Sequence, residues 1–98
     1  MHEYYLIKKT VAEMLIQNGY TESQKDVDSD VYGSMFCVYS LLDQRFMIEW
    51  DGEEGFGNVQ QWLGEGQWKM LKPIVLEGKS DDFNSSLNDL LPTIRATL

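Results

Sequence analysis

The sequence contains few of the residues from which catalytic sites and covalent frameworks are built. Its 98 residues include one cysteine, one histidine and two prolines. A single cysteine excludes an intramolecular disulfide, and Cys37, between Phe36 and Val38, is expected to be a small buried hydrophobe. One Cys and the single His2 cannot assemble a zinc site or a nucleophile with its base. We therefore predict a protein that is not an enzyme, with no catalytic residue, no metal and no cofactor.

Basic residues and long apolar runs are also scarce. Eight Lys and Arg stand against 16 Asp and Glu, which gives a net charge of −8 and a sequence pI of about 4.4. Such a chain repels nucleic acid and anionic membranes and attracts a basic protein partner. The longest stretch without charge, residues 31–42, is shorter than the roughly 18 residues of a membrane span. The amino-terminal residues lack the pattern of a signal peptide, so we expect a cytoplasmic protein.

Two short motifs resemble ligand sites but lack essential residues. Asp26, Asp28 and Asp30 match the opening of a calcium loop, yet Val31 and Cys37 stand where that loop needs glycine and a bidentate acid. The glycine clusters at 55–57 and 64–66 lie between predicted strands beside glutamates, where phosphate would be repelled. An acidic loop and ordinary turns are the better interpretations.

Hydrophobic periodicity predicts a helix followed by strands. Apolar residues three and four apart indicate an amphipathic helix over residues 3–18, which Asn18 and Gly19 end. The polar stretch 21–30 is either an edge strand or a solvated loop. From Tyr32 the period becomes two, with strands at 34–42, 45–50, 56–63 and 67–76. Pro73 argues that the last of these is an edge strand or is irregular there.

A second helix is expected after Ser80, which with Asp81 and Asp82 forms a favourable first turn. One apolar stripe then comprises Phe83, Leu87, Leu90, Leu91 and Ile94. Pro92 predicts a kink or break near residues 89–91. The whole chain, residues 1–98, is thus predicted to be a single α+β domain. It comprises an N-terminal helix, a three- to four-stranded antiparallel meander and a C-terminal helix, with both helices on one face in a two-layer sandwich.

The negative charge is concentrated in one third of the chain. Residues 22–54 carry nine acidic and two basic residues, whereas the segments on either side are nearly balanced. Acidic loops often serve only solubility. Alternatively, loop 22–30 and turn 51–54 lie at the same end of the meander and form one docking face for a basic surface. The predicted partner contacts are the acids Asp26, Asp28, Asp30, Asp51, Glu53 and Glu54 and the aromatic anchors Trp50 and Phe56, with Tyr32 and Trp62 as further candidates.

These features resemble a known class of proteins. A small acidic domain with a helix, a meander ending in GFGNVQQWLGEGQWKMLKPIVLE (residues 55–77) and a closing helix is similar to the bacterial immunity proteins that accompany contact-dependent growth inhibition toxins. The resemblance implies a cytoplasmic inhibitor, or antitoxin, that needs no cofactor. It would neutralise one cognate toxin, frequently a basic nuclease, by covering the active site or substrate groove.

Two other binding functions remain open. A phage-type acidic decoy of a nucleic-acid-binding protein would spread its charges in a phosphate-like row, whereas here they are bunched. A chaperone-like adaptor would hold its partner on an apolar sheet face and would expose Met35, Cys37, Met47, Trp62 or Met70.

Overall fold

The chain folds as two helices and one antiparallel sheet, in the computed structural model, which describes residues 2–78 and 80–98. The elements in chain order are α1 (Glu3–Gln17), β1 (Thr21–Asp28), β2 (Met35–Leu41), β3 (Gln44–Asp51), β4 (Phe56–Gly64), β5 (Gln67–Met70), β6 (Val75–Leu76) and α2 (Ser80–Arg95). The predicted α+β class is therefore confirmed. The meander has one strand more than the sequence indicated, because residues 21–28 join it.

Helix α1 forms as the periodicity predicts. The Nδ1 atom of His2 accepts a hydrogen bond from the Tyr4 backbone N–H at 3.0 Å and so caps the helix. Its buried residues are Tyr4, Ile7, Val11, Ala12, Met14 and Leu15. Gly19, at φ 91°, ends the helix in the left-handed region, and the Tyr20 N–H bonds back to the Leu15 carbonyl oxygen at 3.0 Å.

The sheet is a five-stranded meander with a short sixth strand. Strands β1 to β5 pair consecutively, and β6 pairs with the beginning of β4, with Gly57 opposite Val75. Segment 21–28 is thus an edge strand, interrupted by two register shifts. The predicted irregularity at Pro73 is confirmed, because the run 67–76 divides into β5 and β6 on either side of it, and the Lys72–Pro73 bond is cis.

The two faces of the sheet differ. The inner face carries Cys37, Tyr39, Phe46, Ile48, Trp50 and Val59, all buried in one core with both helices. Helix α1 packs against β2, β3 and β4, while α2 packs against β6 and α1. We call the other side the outer face; no helix in the described residues covers it. This arrangement confirms the predicted two layers.

Helix α2 contradicts one expectation. It buries Phe83, Leu87, Leu90 and Ile94, as predicted, but it continues through Pro92 to Arg95 without a break. Pro92 cannot donate the hydrogen bond to the carbonyl four residues earlier, but only three helical residues follow it, so little of the helix depends on that bond. The predicted cap by the Ser80 hydroxyl lies outside the described side chains.

Candidate functional site

Two turns meet at one end of the sheet. The β1–β2 connection (residues 29–34) and the β3–β4 turn (52–55) both lie at the same end of the sheet, where β1 and β3 finish. The Gly52 N–H donates a hydrogen bond to the Ser34 hydroxyl at 2.7 Å, and Gly52 packs against the backbone of Tyr32 and Gly33. The expectation that two acidic segments share one end is therefore met, although the segment that joins the turn is 28–34 rather than 22–30.

We call this region the acidic end and define it as residues 28–34 and 51–55 together with Glu77. Glu77 belongs to it because its carboxylate lies against Gly55. The acidic end contains six carboxylates, from Asp28, Asp30, Asp51, Glu53, Glu54 and Glu77, and no basic residue. Sequence reasoning missed Glu77, since only the pairing of β6 with β4 brings it to the β3–β4 turn.

Two of these carboxylates stabilise the turns themselves. Asp30 Oδ1 accepts from the N–H groups of Tyr32 at 2.8 Å and Ser34 at 3.2 Å. Hydrogen bonding from Ser34 and Tyr32 accordingly lowers the pKa of the Asp30 carboxyl. Asp51 Oδ1 accepts from the N–H groups of Glu53 at 3.1 Å and Glu54 at 2.9 Å. Asp30 and Asp51 thus fix the backbone from which the other acids project.

Three of the predicted partner-binding carboxylates are exposed and unpaired among the described residues. The carboxylates of Asp28, Glu53 and Glu54 lie in exposed residues and form no hydrogen bond or ion pair within the part of the chain that the structure describes. They are consequently the acids best able to meet a basic surface.

Apolar side chains stand among the acids, and they match the predicted anchors only in part. Trp50 is only 4% exposed, with the His2 ring packed edge-on at 5.4 Å, so it is a core residue. Phe56 is half-buried at the start of β4. The exposed apolar groups are Tyr32 (57% exposed), which was among the predicted candidates, and Val31 (92%), which was not. Val31 could have been suspected from its place between Asp30 and the turn residues Tyr32 and Gly33.

Asp26 is not part of the acidic end. Its side chain turns toward α1, where Oδ1 accepts hydrogen bonds from the Tyr4 hydroxyl at 2.6 Å and the Lys8 ammonium at 2.7 Å. Lys8 also forms an ion pair with Glu22 Oε2 at 2.7 Å. The prediction that Asp26 contacts a partner is therefore not supported by its position, because its carboxylate is already paired with Lys8 within the fold.

The same contacts gather a cluster that the sequence did not reveal. Ligand atoms of Glu22, Asp26 and Cys37 lie within 4.8 Å of one another, a spacing that suits a metal ion. The Lys8 ammonium already supplies the positive charge there, however. Burial raises the pKa of the Cys37 thiol to about 11, so this sulfur is protonated at neutral pH. The cluster is best explained as a structural ion pair between α1 and β1.

A second candidate surface is the outer face of the sheet. Its outward side chains include the half-buried apolar residues Phe36, Val38, Met47, Trp62, Trp68 and Met70. Four of them, Phe36, Val38, Met47 and Trp68, line a concavity of about 560 Å³ together with the exposed Arg45. The Arg45 guanidinium stacks over the Trp62 ring, 4.5 Å from its centroid. Of the residues named for the adaptor function, Met47, Trp62 and Met70 face outward, whereas Met35 packs against the core and Cys37 lies within it.

Comparisons with known proteins add no identification. No protein-family model, no curated protein sequence and no solved structure matches this chain. Within the described residues, neither helix is long and apolar enough to cross a membrane.

Proposed function

We propose that the protein is a non-enzymatic binding module that docks its acidic end onto a basic surface of another protein. The observation that carries this proposal is the contact between two turns, which concentrates six carboxylates without a basic residue beside the exposed Val31 and Tyr32. Within the class that the sequence resembles, the partner is a cognate toxin, often a basic nuclease, that is neutralised in the cytoplasm.

The chemistry of the acidic end suits this task. Clustered carboxylates accelerate the encounter with a basic protein and then form charge-assisted hydrogen bonds to Lys and Arg. Val31 and Tyr32 provide apolar contact that the charges alone lack. Because Asp30 and Asp51 already hold both turns, little conformational entropy is lost when Glu53 and Glu54 engage a partner. A nuclease groove built to bind phosphates is complementary to such a surface.

The outer face supports a second candidate function. Met47, Trp62 and Met70 lie on a sheet face without a covering helix, which is the arrangement expected of a chaperone-like adaptor with an apolar partner. The acidic decoy has less support, since the carboxylates gather at one end of the sheet rather than in a row across the molecule.

Reversing the two glutamate charges of the β3–β4 turn should weaken partner binding. We expect Glu53→Lys/Glu54→Lys to lower affinity for the proposed partner, a basic toxin domain, by about tenfold or more, mainly through slower association. Titration calorimetry and stopped-flow kinetics at several salt concentrations measure this effect. Asp51 is left unchanged because its carboxylate supports the turn.

A matched control separates location from net charge. Glu13 on α1 and Glu65 in the β4–β5 turn are both exposed and lie away from the acidic end. The variant Glu13→Lys/Glu65→Lys changes the net charge equally and should retain nearly the whole affinity. Equal losses in both variants would show that only net charge matters, and unchanged affinity after the first would exclude the acidic end as the interface. The absence of a basic toxin domain beside the gene would count against the immunity function.

A further inference from the structure

The outer face carries little charge in a strongly acidic chain. Across β2 to β5 its outward charged positions are Arg45 and Glu49, of opposite sign, and Asp51, which ends β3 within the acidic end and accepts hydrogen bonds from the turn. Half-buried apolar side chains surround Arg45 and Glu49. The middle of this face is therefore where two copies of the chain, each with a net charge of −8, can approach with the least repulsion.

The register of the middle strand makes the face self-complementary. β3 is the third of five strands in the meander, and its outward positions are Arg45, Met47, Glu49 and Asp51, with Met47 midway between Arg45 and Glu49. Two sheets stacked face to face can be related by a two-fold axis that lies between them, perpendicular to β3 and level with Met47, and this axis makes the two β3 strands antiparallel. Each Arg45 would then stand opposite Glu49 of the second copy, across the roughly 10 Å that separates stacked sheets, while Asp51 and Asp43, twice as far from the axis, would face each other at the ends of the interface.

Both charged groups are positioned for such a pairing. Glu49 Oε1 accepts from Asn58 Nδ2 at 3.0 Å and Gln60 Nε2 at 3.2 Å, which fixes the carboxylate and leaves the second oxygen to accept from another donor. The guanidinium of Arg45 lies over the Trp62 ring, 4.5 Å from its centroid, and Arg45 is exposed, so its N–H groups are accessible to a second copy. From these relations we propose that the protein forms a homodimer through its outer faces, with antiparallel β3 strands.

The antiparallel arrangement also separates the acidic ends. The eight residues of β3 span roughly 26 Å at about 3.3 Å per residue, which exceeds the Debye length of about 8 Å at physiological salt. A parallel stack would instead place Arg45 against Arg45 and both acidic ends side by side. Because the acidic ends stay open in the antiparallel dimer, the dimer is independent of the proposed docking to a basic protein.

The size of the face indicates a weak dimer. Five strands about 4.8 Å apart and about 20 Å long offer a flat area of roughly 500 Å² per copy, or about 1,000 Å² in total, near the lower limit of specific interfaces. We therefore expect micromolar dissociation. Sedimentation equilibrium of the wild-type chain should show a monomer–dimer equilibrium that higher salt strengthens, because salt screens the repulsion of the acidic chains. A monomer at every concentration up to the millimolar range would overturn the proposal and leave the face to a different partner.

A charge exchange tests the register itself. We expect Arg45→Glu and Glu49→Arg each to weaken self-association about tenfold or more. In a homodimer of either variant, residues 45 and 49 carry the same charge, so both symmetry-related pairs repel. An equimolar mixture of the two variants should form a heterodimer. In it, the glutamate introduced at position 45 of one chain meets the arginine introduced at position 49 of the other, and the remaining pair is native. Within one chain these positions are four residues apart on an extended strand, too far to pair, so recovery in the mixture requires an intermolecular contact.

Controls keep the result interpretable. Val31→Lys, at the acidic end, introduces charge at an exposed apolar residue outside the outer face and should leave the dimer intact. Circular dichroism confirms that each variant is folded. If the wild type dimerises but the mixed variants stay monomeric, the antiparallel register is wrong. Binding to a basic partner should weaken with salt while the dimer strengthens, so failure of one proposal is distinguishable from failure of the other.

Discussion

Replacing Gly52 with alanine should lower the free energy of unfolding by about 2–3 kcal/mol, near the upper end of overpacking effects. A Cβ atom at this position would overlap the carbonyl oxygen of Tyr32 and come within 2.8 Å of the carbonyl carbon of Gly33. Both are backbone atoms, so the clash cannot be relieved by rotating a side chain. The two turns must separate, which also strains the hydrogen bond from the Gly52 N–H to the Ser34 hydroxyl.

Urea unfolding of Gly52→Ala and of a matched glycine variant measures this effect. Gly66, in the β4–β5 turn, has φ 74° and no atom within 4 Å of an added Cβ. Gly66→Ala should therefore lose about 1 kcal/mol, from backbone conformation alone. Because Gly52→Ala opens the acidic end, it should also weaken binding to the basic partner, whereas Gly66→Ala should not. Equal destabilisation of the two variants would contradict the close contact between the turns.

Strand alternation was sufficient to locate much of the sheet, including one residue that was assigned the wrong role. Phe46, Ile48 and Trp50 share one face of β3, and this face is the buried one. The alternation thus indicates a core position for Trp50. The prediction that Trp50 binds a partner depended on the acidic residues next to it in the sequence, which is weaker evidence than the alternation. The same period correctly put Met47 on the opposite face, where it remains half-buried.

The edge strand β1 could not be identified from the sequence, for a physical reason. Its inward residues Glu22 and Asp26 are polar because they share an ion pair with Lys8 of α1, and Asp26 also accepts a hydrogen bond from the Tyr4 hydroxyl, instead of packing against apolar side chains. Without apolar alternation, a strand looks like a solvated loop. The contact depends on residues about 18 positions apart, which a local pattern does not register. The role of Asp26 was hidden for the same reason.

The ion pair between Lys8 of α1 and the carboxylates of β1 should make a large contribution to stability. We expect Lys8→Met to lower the free energy of unfolding by about 2 kcal/mol at pH 7. Lys8 Nζ lies 2.7 Å from both Glu22 Oε2 and Asp26 Oδ1, and the three side chains are 20–31% exposed. Exposed pairs contribute below about 1 kcal/mol, whereas breaking a buried pair costs about 3–5 kcal/mol, and these side chains are intermediate. Methionine preserves most of the aliphatic packing, so the loss reports mainly on charge.

Two further variants define the origin of the loss. Lys9→Met removes the same charge from an exposed neighbour and should change stability by no more than about 0.5 kcal/mol. In an Asp26→Asn background, Lys8→Met should cost less than it does in the wild type, since one of its two partners is already neutral. Equal costs in both backgrounds would show that Asp26 and Lys8 are not energetically coupled.

The pH dependence of this difference follows from the direction of each pKa shift. Partial burial opposes ionisation of Asp26, but hydrogen bonds from Lys8 and Tyr4 outweigh it and lower its pKa. A lowered carboxyl pKa contributes stability above the unfolded value of about 3.9, and this stability is lost as the pH falls through the folded value. For Lys8, burial lowers the pKa, but hydrogen bonds to Asp26 and Glu22 raise it overall. Its contribution is therefore complete below the unfolded value of about 10.4 and is lost at higher pH.

Wild type and Lys8→Met should consequently differ by the full amount between about pH 5 and pH 9, and should begin to converge below about pH 4 as the pH falls toward the lowered pKa of Asp26. Urea unfolding at intervals across this range measures the difference directly. The acidic end is identical in the two proteins. Its contribution to the free energy of unfolding therefore cancels when the two values are subtracted. A difference that stayed constant down to the lowest pH would assign the loss to the packing of the lysine methylenes, since protonating Asp26 would then leave the effect of residue 8 unchanged.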